Sequence, residues 1–249
     1  MRNFMRHFFI AIICFLSINS NGQNFVTQND IRGVFLIQNR LINKFGSSFF
    51  IAENDSDNYL ITAKHLFPNN KSGDTISVEI FKDSSWTILN GKVFYHDSSI
   101  VDIAVIKIKE RLKAFSPYKL KSFEFILSDE GFFMGFPYGF KTSDKGKMNF
   151  GYPFPMIKKA IFSGVEVAPG NIQILYFDGM NNPGFSGGPI LMPDRQETKR
   201  LQIAGVISGY FPQNNETKTP LGTIKYSENS GIIIAFAAEQ IYEILSKVK

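Results

Sequence analysis

Short apolar runs recur along the chain from Val34 onward, each bounded by Gly, Asn, Asp, Ser or Pro. They lie at 34–37, 48–52, 59–62, 76–81, 93–95 and 103–108, then at 132–135, 160–167, 172–177, 189–191, 201–207 and 232–235. Several alternate with period two, as in Ala104-Val105-Ile106-Lys107-Ile108-Lys109, the pattern of a half-buried strand. Many short strands at roughly regular spacing predict an all-β sandwich or barrel. Helical spacing is convincing once, at the end of the chain. There Ala237, Ile241, Ile244, Leu245 and Val248 share one face, and Glu239, Glu243 and Lys247 lie off it. Residues 109–124, with Pro117 and five lysines or arginines, read as a linker between two β halves. The polar run 212–230 reads as a surface loop.

Length and composition narrow this picture. The 249 residues suffice for one large or two small domains with a real core. A 44% hydrophobic and 20% charged chain is a folded protein, and its 26 phenylalanines and 20 glycines favour strands and turns. The formal charge of +5 is spread along the sequence without a basic block, which disfavours a nucleic-acid partner.

The first 22 residues have the layout of a secretory signal peptide rather than of fold. Arg2 and Arg6 make a basic start, residues 8–16 are unbroken apolar, and Ser20 and Gly22 are small residues before a cut at Gln23. The run is short for a bilayer span, so stable membrane insertion is not expected after cleavage; an uncleaved anchor is the alternative. The only cysteine, Cys14, lies inside this run, and Ile13 before it is too bulky for lipoprotein processing. Cleavage would remove two arginines and no acids, leaving a charge of +3 on a cysteine-free, disulfide-free mature chain. The expected location is therefore secreted or periplasmic.

Two histidines remain after residue 22, His65 and His96. His65 ends an apolar strand; His96 lies in a polar turn, Tyr95-His96-Asp97-Ser98-Ser99. Asp102 heads the apolar run Ile103-Ala104-Val105-Ile106. It reads either as a turn residue or as a carboxylate that must find a donor such as an imidazole N–H. The strongest signal is Asn182-Pro183-Gly184-Phe185-Ser186-Gly187-Gly188-Pro189. A plain turn does not account for a hydroxyl bracketed by glycines. Gly184 and Gly187 permit unusual backbone and close substrate approach, and the N–H groups of Gly184 and Ser186 could face a developing oxyanion. A serine needs a base, and the base an orienting group. His65, Asp102 and Ser186 supply these roles in the order His, Asp, Ser of chymotrypsin-type triads.

Thr62-Ala63-Lys64-His65, Asp102-Ile103-Ala104-Val105 and Gly184-Phe185-Ser186-Gly187-Gly188-Pro189 resemble the three motifs of trypsin-like (chymotrypsin-fold) serine proteases, nearest to the bacterial exported type. Gly46-Ser47-Ser48-Phe49-Phe50-Ile51 is similar to that branch's first-barrel strand, and Gly135-Phe136-Pro137-Tyr138-Gly139 to its second-barrel entry. Residues 178–189 resemble the serine loop of high-temperature-requirement proteases. The resemblance runs from about Phe25 to the C-terminal helix. It implies two six-stranded antiparallel β-barrels with the site between them: residues 23–115 carrying His65 and Asp102, and 116–249 carrying Ser186 and the helix.

The resemblance also implies a specificity pocket at Met180, Asn181, Ser208, Gly209 and Tyr210. Met180 stands where trypsin-type members place a pocket-floor Asp, and Ile207 near where glutamyl endopeptidases use His, so a neutral, apolar pocket is expected. Tyr210 falls where relatives often carry Gly. Phe185 replaces the Asp that animal-type members pair with a new N-terminus, so that activation switch is not expected. The chain ends at Lys249, so no trailing peptide-binding domain is expected either. The leading reading is a secreted serine endopeptidase acting on polypeptides, with no cofactor and no metal; no oligomeric state follows from it. The alternatives are a catalytically silent protease-fold binding protein and, last, a basic nucleic-acid or membrane-surface binder.

Overall fold

The computed structural model describes residues 25–52, 58–110, 112, 124–142, 149–196 and 200–248. The expected signal peptide and the expected boundary at 115/116 lie outside these residues, as does most of the expected linker. Six strands form the first barrel: β1 (Val34–Asn39), β2 (Lys44–Ala52), β3 (Asn58–Thr62), β4 (Thr75–Lys82), β5 (Ser85–Tyr95) and β6 (Ala104–Ile108). They are ordered β1-β2-β3-β6-β5-β4 and closed by β1 against β4 at Ile37 and Ile80. The second barrel comprises β7 (Glu130–Gly135), β8 (Met156–Ala168), β9 (Ile172–Asp178), β10 (Pro189–Pro193), β11 (Leu201–Thr219) and β12 (Gly222–Ala237). Read from β7, its order is β7-β8-β9-β12-β11-β10, the same winding repeated, with closure at Ile190 and Phe133. A four-residue helix, α1 (Gln28–Ile31), precedes the first barrel, and α2 (Glu239–Leu245) ends the chain. Among the described residues no helix is long and apolar enough to cross a membrane.

Each apolar run of the sequence sits in a strand because alternation buries one face of each barrel wall. A separate apolar cluster joins the barrels. It contains Val34, Phe49, Ile61 and Val105 of the first, Met134, Leu191 and Val206 of the second, and Ile241, Ile244 and Leu245 of α2. The C-terminal helix therefore packs its predicted face into this shared core. His96 fastens the helix from outside: its Nε2 lies 2.5 Å from Glu243 Oε2, and its Nδ1 accepts from the Ser98 N–H at 3.0 Å. Because Nδ1 accepts, the ring proton sits on Nε2 and is donated to the carboxylate.

The polar run 212–230 is not the loop expected from its composition. Its two halves pair from Pro212 with Asn229 to Thr219 with Gly222, making a long antiparallel ribbon around the turn residues Pro220 and Leu221. Backbone hydrogen bonding holds this ribbon without burial of either face, so no hydrophobic alternation marked it.

Candidate active site

Strand pairing brings the candidate residues together. Antiparallel β3 and β6 pair Thr62 with Ala104, so the residues just beyond that pair, His65 and Asp102, meet at the barrel's rim. His65 rides on a 3₁₀ turn, Lys64–Leu66. Its Nδ1 is 2.7 Å from Asp102 Oδ2, its backbone N–H donates to Asp102 Oδ1 at 2.8 Å, and the Lys64 N–H donates to the Asp102 carbonyl. The imidazole is 40% exposed and the carboxylate 18%. A carboxylate at Nδ1 selects, in the neutral ring, the tautomer with its proton on Nδ1 and its lone pair on Nε2. Among the described residues Nε2 has no hydrogen-bond partner.

The second barrel supplies Ser186 in the same manner. β10 pairs Pro189 with Val206, and the Gly187 N–H to Ile207 carbonyl bond continues the ladder, which sets Ser186 beside Ser208. The Ser186 hydroxyl donates to the Ser208 carbonyl at 3.0 Å rather than to the imidazole. The Ser208 hydroxyl donates to Asp102 Oδ2 at 2.6 Å. Ser208 thus links the three candidates: its carbonyl holds Ser186 and its hydroxyl holds the carboxylate that holds His65.

Residues Asn182-Pro183-Gly184-Phe185 form a turn closed by the Phe185 N–H on the Asn182 carbonyl at 3.2 Å. Gly184, at φ +104°, occupies the third position, where a type II turn needs glycine. A side chain there would also collide with the Phe136 carbonyl. The Pro183 carbonyl accepts from the Tyr138 N–H at 2.7 Å. A trans peptide points its C=O and N–H in opposite directions, so the Gly184 N–H faces away from the Tyr138 loop. Among the described residues the N–H groups of Gly184 and Ser186 are paired with no acceptor.

Three devices hold this loop. Phe185 is fully buried, with its ring edge-on to Phe133 at 4.9 Å. Ser47 reaches across from the first barrel: its hydroxyl donates to the Gly184 carbonyl at 2.7 Å and accepts from the Phe136 N–H at 2.9 Å, and its N–H donates to the Ser186 carbonyl at 2.8 Å. Lys158, which the sequence did not single out, ties the loop's start. Its Nζ donates to the Met180 carbonyl at 2.5 Å and Asn182 Oδ1 at 3.0 Å, and desolvation lowers its pKa from the ordinary lysine value. Only the strand register reveals that this lysine, in Met156-Ile157-Lys158-Lys159, turns toward the loop.

Of the expected pocket residues, Asn181 is buried and donates from Nδ2 to the Gly209 carbonyl at 3.0 Å. Met180 is half exposed, and Gly209 and Tyr210 lie on β11 just past Ser208.

The chain resembles several solved structures over most of its length. An HtrA-type protease, AlgW with tripeptide, is 17% identical with a TM-score of 0.57, covering 88% of this chain and 60% of that one. The serine endoprotease from Yersinia pestis is 18% identical with a TM-score of 0.56, over 90% and 67%. The Rv3671c protease in an inactive form is 14% identical with a TM-score of 0.52, over 87% and 89%. At these identities the likeness is one of fold. No curated protein matches the chain in sequence. The model of the trypsin-like peptidase domain matches residues 46–197, well over half the chain, and the chain belongs to that family.

Proposed function

We propose that the protein is an exported serine endopeptidase. In this reading His65 is the base and then the acid, Asp102 fixes its tautomer, and Ser186 forms the acyl-enzyme that water releases. The Gly184 and Ser186 N–H groups hold the oxyanion, each worth about 3–4 kcal/mol of barrier. The observation that carries the reading is the His65–Asp102 pair with Nε2 left unpartnered, joined through Ser208 to a hydroxyl beside two unspent amides.

The Ser186 hydroxyl must leave the Ser208 carbonyl before it can give its proton to Nε2. An incoming peptide N–H competes for that carbonyl, so substrate binding itself frees the nucleophile to turn toward the base. The basic start and apolar run before Gln23 support export, with cleavage after Gly22.

Intact-mass labelling of the chain from Gln23 onward with a fluorophosphonate tests the mechanism. One adduct is expected on the wild type and none on Ser186→Ala or His65→Ala. An unlabelled wild type would sink the claim of an active enzyme and favour a silent binding protein.

A further inference from the structure

The barrel wall uses β11 only as far as Ile207; the strand then runs on to Thr219. β10 leaves it after Val206, and among the described residues β11 pairs from Gly209 onward with β12 alone. Among the described residues both edges of the ribbon are therefore open, and the β11 edge is open over the nine residues beyond Tyr210, about 30 Å at the usual rise. The direction of its backbone groups follows from the turn. Thr219 and Gly222 flank a two-residue turn and exchange hydrogen bonds, so odd-numbered residues of the outer strand face β12. The Phe211 carbonyl, which accepts from Ser230 Oγ at 2.7 Å, obeys this parity. Even-numbered Asn214, Glu216 and Lys218, and the Pro212 carbonyl, consequently turn their backbone groups outward. The Ser208 carbonyl, which holds the Ser186 hydroxyl, lies at the inner end of the same strand, with register irregularities at 207/209 and 210/212 between it and the ribbon.

A two-stranded ribbon without a third strand or a packed face is only marginally stable, and a long bare edge invites another strand. The paired segment carries Glu216, Lys218, Lys225 and Glu228, a balanced set that selects no charge in a partner. We propose that the ribbon edge from Pro212 to Lys218 is a docking strand for the part of an extended polypeptide substrate N-terminal to the cut bond. The inference rests on the protease reading and adds the substrate class to it: unfolded chains, gripped through their backbone about eight residues back from the cut. β11 runs outward from Ser208, so an antiparallel guest runs inward and delivers its C-terminal end to Ser186. Edge pairing reads backbone rather than side chains, which makes the grip tolerant of sequence.

The probe is reduced, carboxymethylated α-lactalbumin, which stays unfolded, with the native protein as control. Fluorescence anisotropy with Ser186→Ala gives binding, and hydrolysis by the wild-type serine gives cleavage. Two ribbon variants are compared, each in both backgrounds. One replaces 214–227 by Asn-Gly, between the hydrogen-bonded pair Gln213 and Glu228; the other, Glu216→Pro, removes a single outward N–H, a change that an edge strand tolerates. Binding of the unfolded probe is expected to weaken about tenfold or more in the shortened variant and severalfold in Glu216→Pro, with fluorophosphonate labelling of the Ser186 forms unchanged. Equal affinity across all three ribbons would overturn the docking strand. A ribbon loss that lowered the oligomeric mass in light scattering without changing affinity would also overturn it, assigning the edge to a second copy. Cleavage with ribbon-independent binding would leave the protease reading standing alone. Ribbon-dependent binding without cleavage or label would defeat the protease reading while keeping the edge.

Discussion

Among the described residues two imidazole–carboxylate pairs occur, and they differ in how many ring nitrogens are spent. His96 is 8% exposed and spends both ring nitrogens, Nδ1 on the Ser98 N–H and Nε2 on Glu243. His65 is 40% exposed and spends one, Nδ1 on Asp102, leaving Nε2 without a partner among the described residues. The first pair is a fastener between the first barrel and the C-terminal helix. The second has the same two groups and one ring nitrogen whose acceptor capacity is unused among the described residues. Pairing with a carboxylate therefore does not by itself point to catalysis; under the proposed mechanism the nitrogen left over does.

The sharpest way to break this comparison is to disturb each carboxylate in turn. Asp102→Asn removes the acceptor that fixes the tautomer, and kcat on a peptide substrate is expected to fall by about 10⁴-fold. Glu243→Gln, remote from Ser186, should leave kcat within about twofold. A comparable loss in both would erase the distinction. The converse is thermal. His96→Ala strands Glu243 and the Ser98 N–H, at a cost of about 2 kcal/mol, which lowers Tm by roughly 4–8 °C in calorimetry while the fluorophosphonate labelling rate holds. The smallest effect concerns the helix's second tether. Lys247 hydrogen-bonds Asp97 at 2.7 Å and holds its carboxyl below the ordinary carboxylate range. The folded value is the depressed one, so this contribution is present above the ordinary carboxylate pKa and is lost as pH falls through the folded value. Asp97→Asn should flatten that small acid limb in denaturant unfolding, and an unaltered limb would remove the tether from the account.

The barrels and the candidate triad were legible in the sequence for different reasons. Strands such as β3 and β6 show because one face is buried and its period is written in residue type. Gly184 and Gly187 show because their backbone admits little else. What stayed hidden depends on neither signal. The outer part of β11, Pro212-Gln213-Asn214-Asn215-Glu216, has no buried face and reads as a loop. Lys158 looks like any outward strand lysine until register places it at the loop. The resemblance implies Ser208 as a pocket residue, but not that its hydroxyl meets Asp102, a contact across 106 positions that no local pattern encodes.

Ser47 has a consequence for how activity arises during synthesis. Its hydroxyl and N–H meet the Gly184 and Ser186 carbonyls across 137 and 139 positions, so the segment bearing the nucleophile is shaped against a surface made much earlier by the ribosome. A nascent chain or proteolytic fragment holding only the second half would carry Ser186 without the scaffold that orders its loop. Under the proposed mechanism, competence to cleave is thus a property of the finished molecule, and incomplete chains lack it.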